Sequence, residues 1–281
     1  MDLSTAFWRL NQLTVQQRLG GDFGRVYSKC YSVEHKKSHE QALMKIVWKA
    51  RMRTTPDGWK DVMNERLVWQ KLSRQSHANI QPLLAFFETE ASYCFVVKNV
   101  AADACALSTV IQSAPLPDEV IRVLSAQMAA VINFVHERGI LMRCLSPESF
   151  LVGKNGNVRL ACFEYAKEAE YCRRAVSGGS VYAAPEMIQK KCYDKAADWW
   201  SFGIIMFEMF TGTTPLRLHC QNKGVRVDGP LPTELMLRGE PSAPLVTCDH
   251  ACTVIVKREL FLPVPHADSR RDHNETYTRL C

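Results

Sequence analysis

The chain has 281 residues, 47% of them hydrophobic and 23% charged, and 35 basic against 29 acidic side chains give a net charge of +6. That is apolar material for a sizeable globular core, in one two-lobed domain or two small ones, and not the composition of a disordered chain. The charges are spread without a run of five like residues, so there is no basic tail for nucleic acid, and no window approaches the 18 apolar residues of a membrane span. The first 20 residues lack a basic stretch followed by an unbroken apolar core, so neither secretion nor membrane insertion is expected. The 11 cysteines are an odd number with no C-x-x-C pair, which fits reduced thiols in the cytoplasm or nucleus. The tightest metal-like cluster, Cys248, His250 and Cys252, needs further ligands from His266, His273 or Cys281, and isolated Cys and His residues are more often packing residues.

Residues 1–14 form an N-terminal extension in which Leu3, Phe7, Trp8, Leu10 and Leu13 follow the possible caps Ser4 and Thr5, a pattern for a short helix docked on the domain. Gly20, Gly21 and Gly24 lie in a glycine-rich turn that runs on to Val26. Ala42 to Val47 is a strand-like run containing Lys45, and residues 61–75 read as a helix with Val62, Trp69 and Leu72 on one face and Glu65 among them. Leu83 to Thr89 and Ser92 to Val100 read as two strands turned at Glu90 and Ala91. Pro117, Asp118 and Glu119 open a helix with Val120, Val123, Leu124, Val131, Phe134 and Val135 on one face, ended by Gly139. Trp199 to Phe210 is apolar almost all round, the signature of a fully buried helix. From Thr213 onward prolines recur at 215, 230, 232, 241, 244, 263 and 265 and no window keeps helical periodicity.

The stretch Leu141 to Val152, LMRCLSPESFLV, resembles the catalytic loop of protein kinases. Arg143, Leu145, Pro147, Glu148 and Leu151 keep the family frame, but Cys144 stands for the catalytic base, Ser146 for the lysine and Ser149 for the metal-binding asparagine. Ten residues after Leu151, Cys162, Phe163 and Glu164 follow Ala161 where the family carries Asp-Phe-Gly. The glycine turn is similar to the phosphate-covering loop, with Leu19 at its first glycine position, and Lys45 and Glu65 match the family's ion pair. Tyr182 to Glu186 resembles the A-P-E motif, and Asp198 to Gly203 the start of the central helix, whose Asp198 ties down the catalytic loop in the family. The wording is most like the AGC group and the divergent ribosomal protein S-six kinases, over about residues 15–212.

The resemblance implies an α+β, two-lobed protein kinase-like fold: an antiparallel sheet with one helix over residues 15–100, then a mainly helical lobe over residues 101–212, lacking its final helices. Residues 213–281 would be a divergent tail, from either a truncated or spliced product or a poorly ordered extension. Val97 takes the gatekeeper position, and Trp69, Leu83, Met142 and Phe163 the regulatory spine. Gly21, Gly24, Val26, Lys45, Glu65 and Leu151 are the weak nucleotide-binding set, opposed by Leu43 where the family places a small alanine under adenine. Extra methylenes in a packed pocket cost about 1–3 kcal/mol. The degenerate positions Cys144, Ser146, Ser149 and Cys162 leave no intact catalytic residue. Cysteine and serine are poor ligands for a hard cation, and Glu164 is the one substitute carboxylate for a metal. The cofactor expected is at most ATP without metal. Ala175 replaces the activation-loop threonine, and Ser177 and Ser180, after Arg173 and Arg174, are either substrates of another kinase or plain loop residues. The function implied is a pseudokinase scaffold or allosteric partner of other proteins, among them a kinase. The alternatives are a residually active Ser/Thr kinase using Glu164 and a truncated product without function.

Overall fold

A computed structural model describes residues 8–18, 28–52, 58–99, 104–173 and 181–222. The chain begins with five strands, β1 (Leu13–Arg18), β2 (Ser28–His35), β3 (Gln41–Trp48), β4 (Leu83–Glu88) and β5 (Ser92–Lys98), in one sheet of order β1-β2-β3-β5-β4. Every neighbouring pair is antiparallel. Side chains alternate across a strand, and here both faces are buried. Ala42 and Met44 of β3 with Cys94 and Val96 of β5 pack outward under Trp8 and Leu13. Val47, Phe95 and Val97 point inward to the main core, with Leu43 packed against it.

Two helices lie between β3 and β4: the one-turn α1 (Lys49–Met52) and the long α2 (Gly58–Ser73). The lobe therefore carries one short helix more than expected. On α2 the buried residues Val62, Glu65, Val68, Trp69 and Leu72 recur at three- and four-residue spacing, so one face meets the sheet and the core.

The second lobe is mainly helical. After β6 (Cys105–Ala106) come α3 (Leu107–Ser113), α4 (Asp118–His136), β7 (Ile140–Leu141), β8 (Phe150–Val152), β9 (Val158–Leu160) and β10 (Lys167–Glu168). It continues with α5 (Pro185–Ile188), α6 (Ala196–Thr211) and α7 (Pro215–Asn222). Small ladders join β6-β8-β9 and β10-β7. The α+β kinase-like architecture expected from the motifs is the observed one.

Several local expectations change. The N-terminal segment is not a helix over its described part: Leu10–Gln12 is one 3-10 turn, and Leu13 already pairs with His35 in the sheet. Trp8 and Leu13 still dock, at 4% and 6% exposure, whereas Leu10 is exposed; Leu3, Ser4, Thr5 and Phe7 lie outside the described residues. The buried stripe of α4 is Val120, Ile121, Leu124, Met128, Val131, Ile132 and Val135, and Val123 faces solvent. Phe210 also emerges at the end of α6, where Gly212, at φ 73°, closes the helix with its N–H on the Glu208 carbonyl. Helical order does not stop at Thr213. Pro215–Asn222 is a helix with Cys220 buried, and Pro215 occupies its first turn, where proline is tolerated because that N–H has no partner in any case. The glycine turn, Ser177, Ser180, Ala175 and the Cys248–Cys252 cluster lie outside the described residues.

Candidate active site

Strand alternation turns Leu43, Lys45 and Val47 of β3 toward the second lobe, and the buried face of α2 sets Glu65 opposite Lys45. Lys45 Nζ donates to Glu65 Oε1 at 2.8 Å and to Glu164 Oε1 at 2.5 Å. The three side chains are 7%, 1% and 1% exposed. Burial alone would lower the lysine pKa, but the Glu164 and Glu65 carboxylates outweigh it and hold Lys45 far above its ordinary range. Lys45 is thus a permanently charged ammonium between two carboxylates.

Glu164 reaches this position from a short turn in which the Ala166 N–H bonds the Phe163 carbonyl at 3.0 Å. Phe163 is fully buried and its ring lies 5.2 Å from that of Trp69, which also stacks on Phe95 and donates its indole N–H to the Gln81 carbonyl. Met142 belongs to the same core and Leu83 packs against it. The four residues expected to form the spine therefore share one apolar mass spanning both lobes.

The catalytic-like loop runs from β7 to β8 and is pinned from below by α6. Asp198 Oδ2 accepts the Met142 N–H at 2.9 Å, and Oδ1 accepts the Arg143 N–H at 2.7 Å. His136, at the end of α4, places Nε2 2.8 Å from Asp198 Oδ2. Arg143 sits in the left-handed region at φ 68°, a conformation a non-glycine residue keeps only when its surroundings fix it. Its guanidinium bonds the Tyr193 hydroxyl at 2.9 Å and the Tyr165 carbonyl at 3.2 Å.

What the frame presents is unlike a metal site. Burial first, with the Glu164 and Asp198 charges adding to it, pushes the Cys144 thiol up to about 12. Burial with the same glutamate raises Cys162 further. Both are protonated thiols at neutral pH, and neither can accept a proton or bind a hard cation as a carboxylate would. Ser149 is buried, and its Oγ accepts the Ser146 N–H at 3.2 Å, so that side chain serves the local turn. Among the described residues no group of three or more His, Cys, Asp or Glu side chains is placed to hold a metal ion. The donor set does not fit the Mg²⁺ of phosphoryl transfer.

The structure brings together Lys45, Glu65, Cys162 and Glu164, with Cys144 close enough for the Glu164 charge to act on it. Leu151, on β8, is buried beside Ala106 and Arg159 in the ladder, and Leu43 pairs in register with Val97. Gly21, Gly24 and Val26 lie outside the described residues. Residue types alone did not point to His136, Lys71 or Glu168. Lys71 of α2 bonds Glu168 of β10 at 2.7 Å and the Arg138 carbonyl at 3.2 Å, a second link between the lobes.

The chain matches the family described as "Protein kinase domain" over residues 13–233, beyond the boundary at 212 read from the motifs. It is 29% identical over 209 residues to a "cAMP-dependent protein kinase catalytic subunit" of Arthrobotrys oligospora, covering 74% of this chain and 38% of the relative. With "cAMP-dependent protein kinase type 3" of Saccharomyces cerevisiae it shares 28% over 216 residues, covering 74% and 50% respectively. With human "Ribosomal protein S6 kinase alpha-2" it shares 27% over 200 residues, covering 70% and 26%. The chain spans half or less of the length of these relatives. These AGC-type relatives, the sheet-and-helix architecture and the Lys45–Glu65 pair converge: the chain belongs to the protein kinase domain family.

Proposed function

We propose that this chain is a pseudokinase: a kinase-shaped module that transfers no phosphate and works by binding other proteins, as a scaffold or allosteric partner in Ser/Thr kinase signalling. The observation that carries the reading is the chemistry at three positions within a frame whose packing residues are kept. Cys144 and Cys162 are neutral thiols and Ser149 is spent on its own turn, so the proton acceptor and both metal ligands are missing together. Phosphoryl transfer depends on positioning and charge neutralisation, and a general base alone contributes about 10²–10⁴ in rate. The packed Trp69, Phe163 and Met142 column supports an active-like shape that does not need those polar groups. Nucleotide binding is at most weak and metal-free, because Lys45 already serves two carboxylates and Leu43 adds bulk beside Val97.

The test is a thermal-shift titration of the purified chain with ATP, alone and with Mg²⁺ or Mn²⁺. The expected outcome is no metal-dependent rise in Tm, since a ligand stabilises only the state that binds it. A rise that requires the metal would instead favour a residually active Ser/Thr kinase, the activity its relatives are named for.

A further inference from the structure

Lys45 and Glu164 lie 119 residues apart in sequence, one on the sheet of the first lobe and the other in the second. They meet because Phe163 is locked into the core beside Trp69 while the next residue turns back toward the cleft. The family carries glycine at this place, with no side chain to offer. Here the carboxylate sits on the ammonium group at 2.5 Å, with Lys45 itself only 5% exposed. Glu65 holds the same nitrogen from the other side, so one ammonium faces two carboxylates. The thiols at 144 and 162 bring no compensating positive charge.

The turn that carries Glu164 is gripped a second time. Four residues on, Glu168 bonds Lys71 of α2, which also donates to the Arg138 carbonyl just past the end of α4. The Tyr165 carbonyl between them accepts from Arg143. Residues 163–168 thus tie α2 and β3 to the catalytic-like loop through side chains of the chain itself.

We propose that Glu164 is a built-in occupant of the anion position on Lys45: it takes the place of a nucleotide phosphate, holds the two lobes together without nucleotide, and makes the cleft reject polyphosphates. This rests on the non-catalytic reading of the cleft and identifies the residue that sets its ligand class. A phosphate anion reaches Lys45 only after Glu164 leaves. The Glu164 carboxylate and a phosphate cannot share that position, because like charges in a buried site repel strongly. Glu164 is therefore the specificity-determining residue of the cleft.

The experiment uses metal-free inorganic tripolyphosphate, which probes the anion position without involving Leu43 or the adenine site. Binding is measured by calorimetry on the full chain, on Glu164→Gln and on Glu164→Gly. The expected result is that both variants gain affinity by about tenfold or more over the unmodified chain, the effect of about 1.4 kcal/mol. Variants that bind tripolyphosphate no better than the unmodified chain overturn the proposal. A second measurement needs no variant: reductive methylation with formaldehyde and cyanoborohydride, read by peptide mass spectrometry. Lys45 should stay unmodified while the exposed Lys37 and Lys98 are fully methylated. A Lys45 that methylates alongside them, and is protected by added ATP, overturns the proposal. Neither readout involves phosphoryl transfer, so the latch can fail while the pseudokinase reading stands, and activity of the unmodified chain would remove that reading independently.

Discussion

Two thiols occupy the positions where the family places carboxylates, and their state decides what the cleft can do. Burial raises both, so thiolate forms only as the pH climbs toward about 12 at Cys144, and later still at Cys162. Alkylation by iodoacetamide at about pH 8 should therefore modify the exposed Cys192 early and leave Cys144 and Cys162 unreacted until the chain unfolds. Peptide mass spectrometry over a time course reads this, and early labelling of Cys162, which is half-buried, would contradict the raised pKa of that thiol. Asp198 allows a second residue-scale test. Asp198→Ala leaves the amides of Met142 and Arg143 without their acceptor, at about 1–3 kcal/mol for each buried donor. The urea midpoint should fall and exchange at those two amides should quicken. The Lys45–Glu65 pair was legible through the kinase resemblance, because a strand lysine and a helix glutamate bracketed by a glycine turn and a catalytic-like loop match the family's ion pair. The placement of Glu164 was not. A carboxylate after a buried phenylalanine serves a metal or a lysine equally well on paper, and only the direction of the turn brings it to Lys45.

Among the elements, α2 is the part on which both lobes depend. Its buried face carries Glu65 to the lysine and Trp69 into the ring stack, while Lys71 reaches the second lobe. Trp69→Ala should cost about 3–5 kcal/mol, as for other large aromatic truncations in a core, and lower the unfolding midpoint accordingly. A loss under 1 kcal/mol, on the order of a surface change, would mean that the packed column does not hold the lobes. The hydrophobic pattern marked α2, α4 and α6 in the sequence, yet Val123 of α4 and Phe210 of α6 are exposed. Residue type marks a stripe, but the neighbour that covers its edge comes from elsewhere in the chain. The missed helix α7 has a local cause. Pro215 was read as a breaker although it stands in the first turn, and Cys220 is the one buried residue of that short helix, too little for a visible period. Shortening the chain to end at Gly212 should therefore lower Tm relative to a chain ending at Asn222, because α7 packs on α6. Equal values would show that α7 adds nothing to the fold.

Across the whole molecule, the order and spacing of degraded motifs were enough to read two lobes, because the packing residues of those motifs are present even where the polar groups differ. Arg143, Leu145, Pro147 and Leu151 persist as frame, and Asp198 still receives the loop amides. What sequence could not reveal were contacts between distant segments: Lys71 with Glu168 and Lys45 with Glu164 join residues whose separation carries no periodic signal. The result is a kinase-like fold whose lobes are bridged by the Lys45–Glu164 and Lys71–Glu168 bonds, with neutral thiols where the family places a base and a metal ligand. The proposed absence of catalysis is tested most directly by transfer of radiolabelled phosphate from ATP to a generic basic peptide, with Mg²⁺ or Mn²⁺, by the unmodified chain and by Lys45→Met. The predicted result is no incorporation above the Lys45→Met background with either metal. Incorporation that depends on the metal and disappears in Lys45→Met would contradict the pseudokinase assignment.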